Sequence, residues 1–432
     1  LLLVDGACNG ETSRDHSTMK RLASLGWTFA VGPLFVFTLL GYTLQLKSRG
    51  AGVAVLLVAG LVALGSLSSQ RRNRSIGAVD HWSFDELLIT IGYGLLAASA
   101  PLLVGLIGSF HELTGDPFPI GSTGLAGLII GLCTVVVFIN GRKRIQALES
   151  GFGLAALVPV GLGLIVVVAV ILQGGLSGNH LRHVTFQGAS WNSVAAGIAI
   201  AIPFFFGADF SVTQSTELGD DAQRWSRANL IWLIAFFALL QYSGAIGTAG
   251  VWPDIPAFSP LANAYVGGSV RGVAWFLVIA SGVMYCILLS VLLSRRLRSL
   301  GANLRIRVGV IAALPAVAMG AAAAQISSRV AGSNWTASMT SMFLNVSSVG
   351  GALLVAGLAA GCIRALLLTR AQQMDAMEYV PGLVGLLGLC VAFYGYFWRG
   401  IASAPMSPLT FAAIVAAVLL GVAIFTWRKT QR

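Results

Sequence analysis

The sequence predicts an all-α polytopic membrane protein. It has twelve transmembrane helices, with spans 1–5 and 6–10 forming inverted repeats (5+5) and two additional C-terminal helices. Three observations lead there. Of 432 residues, 56% are hydrophobic and 10% charged, with a mean hydropathy of +0.83; a soluble domain needs more charge than this on its surface. Apolar runs recur from end to end, each of about 20 residues and so long enough to cross a hydrocarbon core of ~30 Å. Glycine and proline interrupt the first and sixth of these runs, and a shift of five spans relates the two. A transmembrane barrel would instead show segments of about ten residues with period-two alternation, which this sequence lacks.

Residues 1–24 read as a cytoplasmic N-terminal tail. The opening LLLVDGACNGETSRDHST lacks the basic start and apolar core of a signal peptide, and Met19 opens a more ordinary beginning, MKRLASLGW. The spans fall at 25–46, 52–69, 84–110, 120–140, 151–173, 191–216, 228–250, 272–294, 306–326, 339–366, 379–398 and 406–427. The first repeat thus occupies 25–173 and the second 191–366. Spans eleven and twelve occupy 379–427, and 428–432 form a second cytoplasmic tail. Connections are short except at 174–190 and 251–271, the latter carrying Pro253, Pro256 and Pro260.

The net charge of +11 has its cause in membrane orientation, not in nucleic acid. With the N-terminus inside, the inner segments hold 21 of the 27 Lys and Arg residues. The outer side holds the other 6: Lys47, Arg49, Arg182, Arg271, Arg329 and Arg399. This asymmetry predicts a multi-pass protein of the plasma or inner membrane with both termini cytoplasmic.

The interruptions are chemically specific. In span one, Gly32 adds backbone freedom and Pro33 offers no N–H to the helix ladder. Span six contains Pro203, Gly207 and Asp209. A broken helix in lipid leaves backbone groups unsatisfied at several kcal/mol each, so it persists where protein or a polar cavity supplies partners. Two breaks at corresponding repeat positions would face each other near the midplane. Exposed helix N-termini there attract an anionic substrate group, and exposed carbonyls a cationic one.

The predicted substrate site is therefore Ala30, Val31, Gly32 and Pro33 with Phe206, Gly207, Ala208 and Asp209; Trp27 and Phe206 flank the breaks, as aromatics that either cover a substrate or pack in the core. A carboxylate at mid-membrane costs about 2.5–3.5 kcal/mol on insertion scales, and no other acid lies as deep in a span as Asp209. Glu149, Glu217, Asp220, Asp221, Asp375 and Glu378 lie at cytoplasmic ends, and Asp85 and Glu86 open span three, where acids suit the helix dipole. Tyr93, Ser99, Thr213, Gln214, Asn345, Ser347 and Ser348 are further polar residues that could line the same cavity or bond neighbouring helices.

Little else points to chemistry. Cys133, Cys286, Cys362 and Cys390 fall in apolar runs, where a thiol acts as a small hydrophobe, and no Cys/His cluster suggests a metal. His16, His81, His111, His180 and His183 lie in the tail, in loops or at span ends, and no spacing suggests a catalytic triad or a cofactor. Asp209 and Glu217 are about 12 Å apart along a straight helix, too far for most paired-carboxylate catalysis. The chain does not read as an enzyme.

The motifs resemble the amino acid–polyamine–organocation superfamily of permeases. Phe205-Phe-Gly-Ala-Asp209 followed by Glu217 resembles that family's sixth-span pattern F-F-G-F-D…A-E-E, with Thr216 in place of the first glutamate. Residues 141–158 resemble the basic loop leading into its fifth span, and Ser294-Arg-Arg-Leu-Arg-Ser-Leu-Gly301 a shortened form of the stretch closing its eighth. Val31-Gly-Pro-Leu-Phe35 stands where the family has G-S-G-I-F, whose unwound backbone cradles the substrate carboxylate, and Pro33 removes one donor there. Asn73–Val79 keeps only part of the family's P-R-S-G-G-A-Y.

The resemblance implies a LeuT-like fold and a secondary active transporter of an amino acid or related amine, working by alternating access. Asp209 would bind the substrate's ammonium group or carry a coupling proton; burial in apolar surroundings disfavours the charged form of a carboxyl group, which suits the second role, with Glu217, two turns on, as a further coupling residue. Some relatives replace a sodium ion by a lysine in span five; residues 151–173 have no charged residue, and a sodium site would draw on Ser281 and Ser290. An amino acid exchanger, a sodium-coupled symporter, a membrane enzyme and a binding protein that has lost transport are the alternatives. The expected partners are the lipid bilayer and one small-molecule substrate.

Overall fold

The computed structural model describes residues 49–75, 83–109, 121–140, 188–205, 271–328, 335–372, 376–398 and 407–431, with isolated positions and short stretches elsewhere. Its helices are α1 (Gly52–Ser75), α2 (Phe84–Ser109), α3 (Gly121–Asn140), α4 (Trp191–Ala201), α5 (Arg271–Ser299), α6 (Leu304–Ser328), α7 (Trp335–Ala371), α8 (Val380–Trp398) and α9 (Pro408–Thr430). One 3-10 turn, Ile202–Phe205, follows α4, and another, Ala376–Glu378, precedes α8. No strand occurs among the described residues. Seven of the helices are long and apolar enough to cross a membrane, and Thr123–Ile139, Trp191–Phe205 and Leu230–Leu239 are shorter apolar helical segments. Each labelled helix falls on one of the expected spans. Most of spans one and five and the far half of span six lie outside the described residues, so the twelve-span count and the repeat remain expectations.

The helix ends follow local chemistry. Ser190 caps α4 by accepting from the Ser193 N–H, and Ser407 caps α9 by accepting from the Thr410 N–H, with Pro408 in the first turn, where no N–H is needed. Between α5 and α6 the Ala302 N–H reaches the Leu297 carbonyl at 2.9 Å and the Gly301 N–H the Arg298 carbonyl at 3.0 Å. Gly301 makes this closure possible, because its φ of +83° is a left-handed conformation open to glycine at little steric cost.

α2 is the axis of the bundle. It packs against α7 most extensively and against α5, α3 and α6 on its other sides, while α1 packs against both α8 and α7. The apolar window of α2 is 83% buried and that of α9 only 17%, so α2 is core and α9 presents most of its surface to lipid. Glycines set the α2–α7 distance. A Cβ on Gly92 would lie 2.9 Å from the Gly350 carbonyl oxygen, and one on Gly350 would lie 3.1 Å from the Gly92 carbonyl oxygen. Small residues at such a crossing let backbones approach and gain dispersion contact, the main source of helix association in lipid.

Candidate functional site

Trp27, Ala30, Val31, Gly32, Pro33, Phe206, Gly207, Ala208, Asp209 and Glu217 lie outside the described residues. The structure instead describes what surrounds the two predicted breaks.

On the span-six side, α4 is α-helical only to Ala201, and its regular bonding changes to 3-10 over Ile202–Phe205. Pro203 is the local cause. It has no N–H, so the Ala199 carbonyl, four residues earlier, loses its helical donor. The Tyr396 hydroxyl, buried on α8, donates to that carbonyl at 3.2 Å. The freed backbone group is thereby satisfied from a neighbouring helix, as a break at membrane depth requires. No motif marks Tyr396; its cue in the sequence is only a phenol in an apolar run, which needs a partner when buried.

An aromatic cluster joins spans one, six and seven. Phe29 stands one residue before Ala30, and Phe205 one before Phe206. The Phe29 ring lies 5.4 Å from that of Phe236, Phe236 lies 6.1 Å from Phe237, and Phe237 lies 5.4 Å from Phe205. All four rings are buried. The residues bordering both predicted breaks are thus held in one packed cluster.

Beside the 3-10 turn is a small, half-open cavity of about 30 Å³, lined by Val62, Ala63, Ser66, Leu67 and Gln70 of α1, Tyr93 of α2, Ile202, Phe205, Leu358 and Leu389. A buried water needs ~10–15 Å³ of such space, so this pocket has room for two waters. Ser66 is satisfied by the Ala63 carbonyl, whereas both amide atoms of Gln70 lack a partner among the described residues. Gln70 lies beyond the expected end of span two at residue 69. The Arg71-Arg72 pair reads as a loop signal, yet α1 continues to Ser75 because its basic end is tied down by polar contacts.

Those contacts form a belt of ion pairs at one end of the bundle. Arg296 of α5 is 2% exposed, pairs with Glu86 of α2, and has its guanidinium 5.6 Å from the centre of the Tyr93 ring. Arg364 of α7 lies 3.4 Å from Asp85, Arg72 of α1 lies 3.0 Å from Glu378, and the Asn73 amide donates to the Gly361 carbonyl at 2.9 Å. Asp85 and Glu86 therefore do more than complement a helix dipole, since each holds an arginine from another helix.

The pair proposed for sodium does not converge. Ser281 and Ser290 both lie on the continuous helix α5, nine residues and so about 13 Å apart on opposite faces. Ser290 donates to the Cys286 carbonyl at 2.8 Å, while the buried Ser281 hydroxyl has no partner among the described residues. Together they do not ligate one ion. Of the other polar candidates, Ser99 and Ser347 bond the Leu96 and Leu344 carbonyls of their own helices. The Ser348 hydroxyl and the Asn345 side-chain oxygen are buried without a partner among the described residues. No group of three or more His, Cys, Asp or Glu side chains that could hold a metal occurs among the described residues.

No protein-family model matches the chain, and no curated protein matches it in sequence. A solved structure shares its fold, and others align less closely. A manganese transporter from Eremococcus coleocola, in complex with an aromatic bis-isothiourea substituted compound, aligns with a TM-score of 0.54 at 15% identity, over 96% of this chain and 94% of that one. MhsT in complex with L-phenylalanine aligns with a TM-score of 0.45 at 14% identity, over 88% and 98%. A nucleobase-cation-symport-1 family transporter, closed on bromovinylhydantoin, aligns with a TM-score of 0.39 at 13% identity, over 89% and 95%. The class defined is a multi-span helical membrane protein with a transporter fold of the LeuT type. At 15% identity the likeness extends to fold, and substrate is a separate matter.

Proposed function

We propose that this chain is a secondary active transporter, a permease that moves an amino acid or related amine across the plasma or inner membrane by alternating access, coupled to protons. The observation that carries the reading is the interruption of span six at Ile202–Phe205, with its freed carbonyl taken up by Tyr396. Backbone that leaves the α-helical ladder would offer dipoles to a substrate carrying both charges, and Asp209, four residues on in the sequence, a carboxylate. The cluster that holds Phe29 and Phe205 together supports a site built from both breaks. The resemblance of Phe205–Asp209 to the amino acid–polyamine–organocation permeases supports the substrate class. On this reading the chain has twelve spans in a 5+5 repeat with both termini cytoplasmic, and it is not an enzyme.

The test is uptake into proteoliposomes, screened over amino acids and polyamines, with manganese(II) included because the fold is shared with a manganese transporter. Accumulation of an amino acid or amine on a pH difference supports the proposal. Exchange without accumulation makes the chain an exchanger, and dependence on sodium makes it a sodium symporter. Transport of manganese(II) alone would overturn the substrate class, and no transport of any probe would overturn the transporter reading.

A further inference from the structure

Ser66, Gln70 and Asn73 recur at i, i+4 and i+7 on α1, so they share one face of the helix. This polar stripe runs from the cavity beside the span-six turn to the belt of ion pairs. At its start, Gln70 lines the cavity, is 5% exposed and has neither amide atom bonded. One turn on, Asn73 is equally buried; its nitrogen donates to the Gly361 carbonyl, and its oxygen has no partner. Asp85 and Asn73 both lie over Gly361, where a Cβ would meet the Asp85 Oδ2 at 3.6 Å and the Asn73 Nδ2 at 3.8 Å. The stripe thus ends at the carboxylate that holds Arg364.

A buried amide with no partner for its donor or its acceptor is costly, and native structures satisfy nearly all such groups with protein or ordered water. No group among the described residues satisfies Gln70, and the space against it, apolar on most sides, is bordered by the polar side chains of Gln70, Ser66 and Tyr93 and is roomy enough for two waters. We infer that this cavity is an internal water-binding site. Gln70 is its principal ligand, donating to one water through Nε2 and accepting from another through Oε1. The site supplies hydrogen-bond partners at the foot of the turn where Pro203 interrupts span six. It also sits one helical turn along the polar stripe from Asn73, which lies with Asp85 over Gly361. The inference stands apart from the transport reading, since it concerns a resident solvent site and its test needs no substrate.

The experiment is an experimental structure of the full chain in nanodiscs, at a resolution where other buried waters are visible, together with thermal unfolding of wild type and Gln70→Met. Density for one or two waters within hydrogen-bonding distance of the Gln70 amide is expected. The Met variant, which keeps length but loses both polar atoms, is expected to melt at or below the wild-type temperature, because a hydrated amide gains nothing from removal. A cavity that is dry while other internal waters are seen overturns the inference. So does one filled by a lipid or detergent tail. A melting temperature raised by Gln70→Met overturns it as well, since that is the response of an amide with no partner. If the Met variant is not recovered folded, the wild-type density decides the question alone.

Discussion

The Tyr396 hydroxyl on α8 donates to the Ala199 carbonyl on α4, the one backbone acceptor that Pro203 deprives of its helical donor. The interruption in span six is therefore a built feature, completed by a residue nearly two hundred positions away. Tyr396→Phe removes the donor and leaves a buried carbonyl unpaired, which costs about 1–3 kcal/mol. A lowered melting temperature in detergent is expected. Tyr394→Phe is the control. Its hydroxyl reaches the Asn192 side-chain oxygen at 3.1 Å in an exposed position, so its loss should have a smaller effect. Equal effects for the two variants would remove the special role of the Ala199 bond.

Gly351 of α7 makes the space that Tyr396 occupies. A Cβ there would strike the tyrosine hydroxyl and come within 3.0 Å of the ring carbon bearing it. Gly351→Ala should displace the hydroxyl from Ala199 and destabilise the protein much as Tyr396→Phe does. The double variant should then lose less than the sum of the two single losses, because one contact cannot be lost twice. Gly131→Ala on α3 meets nothing within 4 Å and should cost no stability. Additive losses at 351 and 396 would show that the glycine acts through other neighbours.

The ion pairs should rank by burial. Arg296 is 2% exposed and Glu86 16%, so Glu86→Gln weakens a buried ion pair, a loss of up to about 3–5 kcal/mol. Glu378→Gln breaks a pair whose acid is 56% exposed, where water and salt screen the charge, and should cost under about 1 kcal/mol. Unfolding midpoints of the two variants at low and high salt test this. The order should hold, and only the Glu378 effect should shrink with salt. The reverse order would mean that Glu86 serves a purpose other than holding Arg296.

Much of the helical layout was legible because hydropathy in a membrane is a strong signal: an apolar run with no water to meet must be a helix. The two ends of α1 and α5 were not. Arg71-Arg72 and Arg295-Arg296 read as the start of loops, yet both helices run on, since Glu378 and Glu86 pair Arg72 and Arg296 across the bundle. Such pairings join residues about 200 to 300 positions apart and leave no local pattern. Tyr396 and Gln70 escaped for the same reason, for their roles come from what packs against them. Pro203 was legible as a break because proline acts on its own helix. The carboxylate at 209 was legible because charge in a long apolar run is conspicuous, but the described residues stop four positions short of it.

The last prediction concerns that carboxylate. On the transport reading, Asp209 carries the coupling proton while the interrupted backbone of spans one and six holds the substrate. Asp209→Asn keeps the size and the hydrogen bonding of the side chain but cannot exchange a proton. In proteoliposomes under an imposed pH gradient it should lose accumulation of substrate and retain exchange of internal for external substrate. A sodium gradient alone should drive neither protein, because Ser281 and Ser290 stand about 13 Å apart on opposite faces of α5 and do not form one cation site. If sodium alone drives accumulation, the coupling ion is wrong. If the Asn variant still concentrates substrate on a pH difference, another group carries the proton. If the variant loses exchange together with accumulation, the aspartate binds substrate directly, and the division of labour between carboxylate and backbone does not hold.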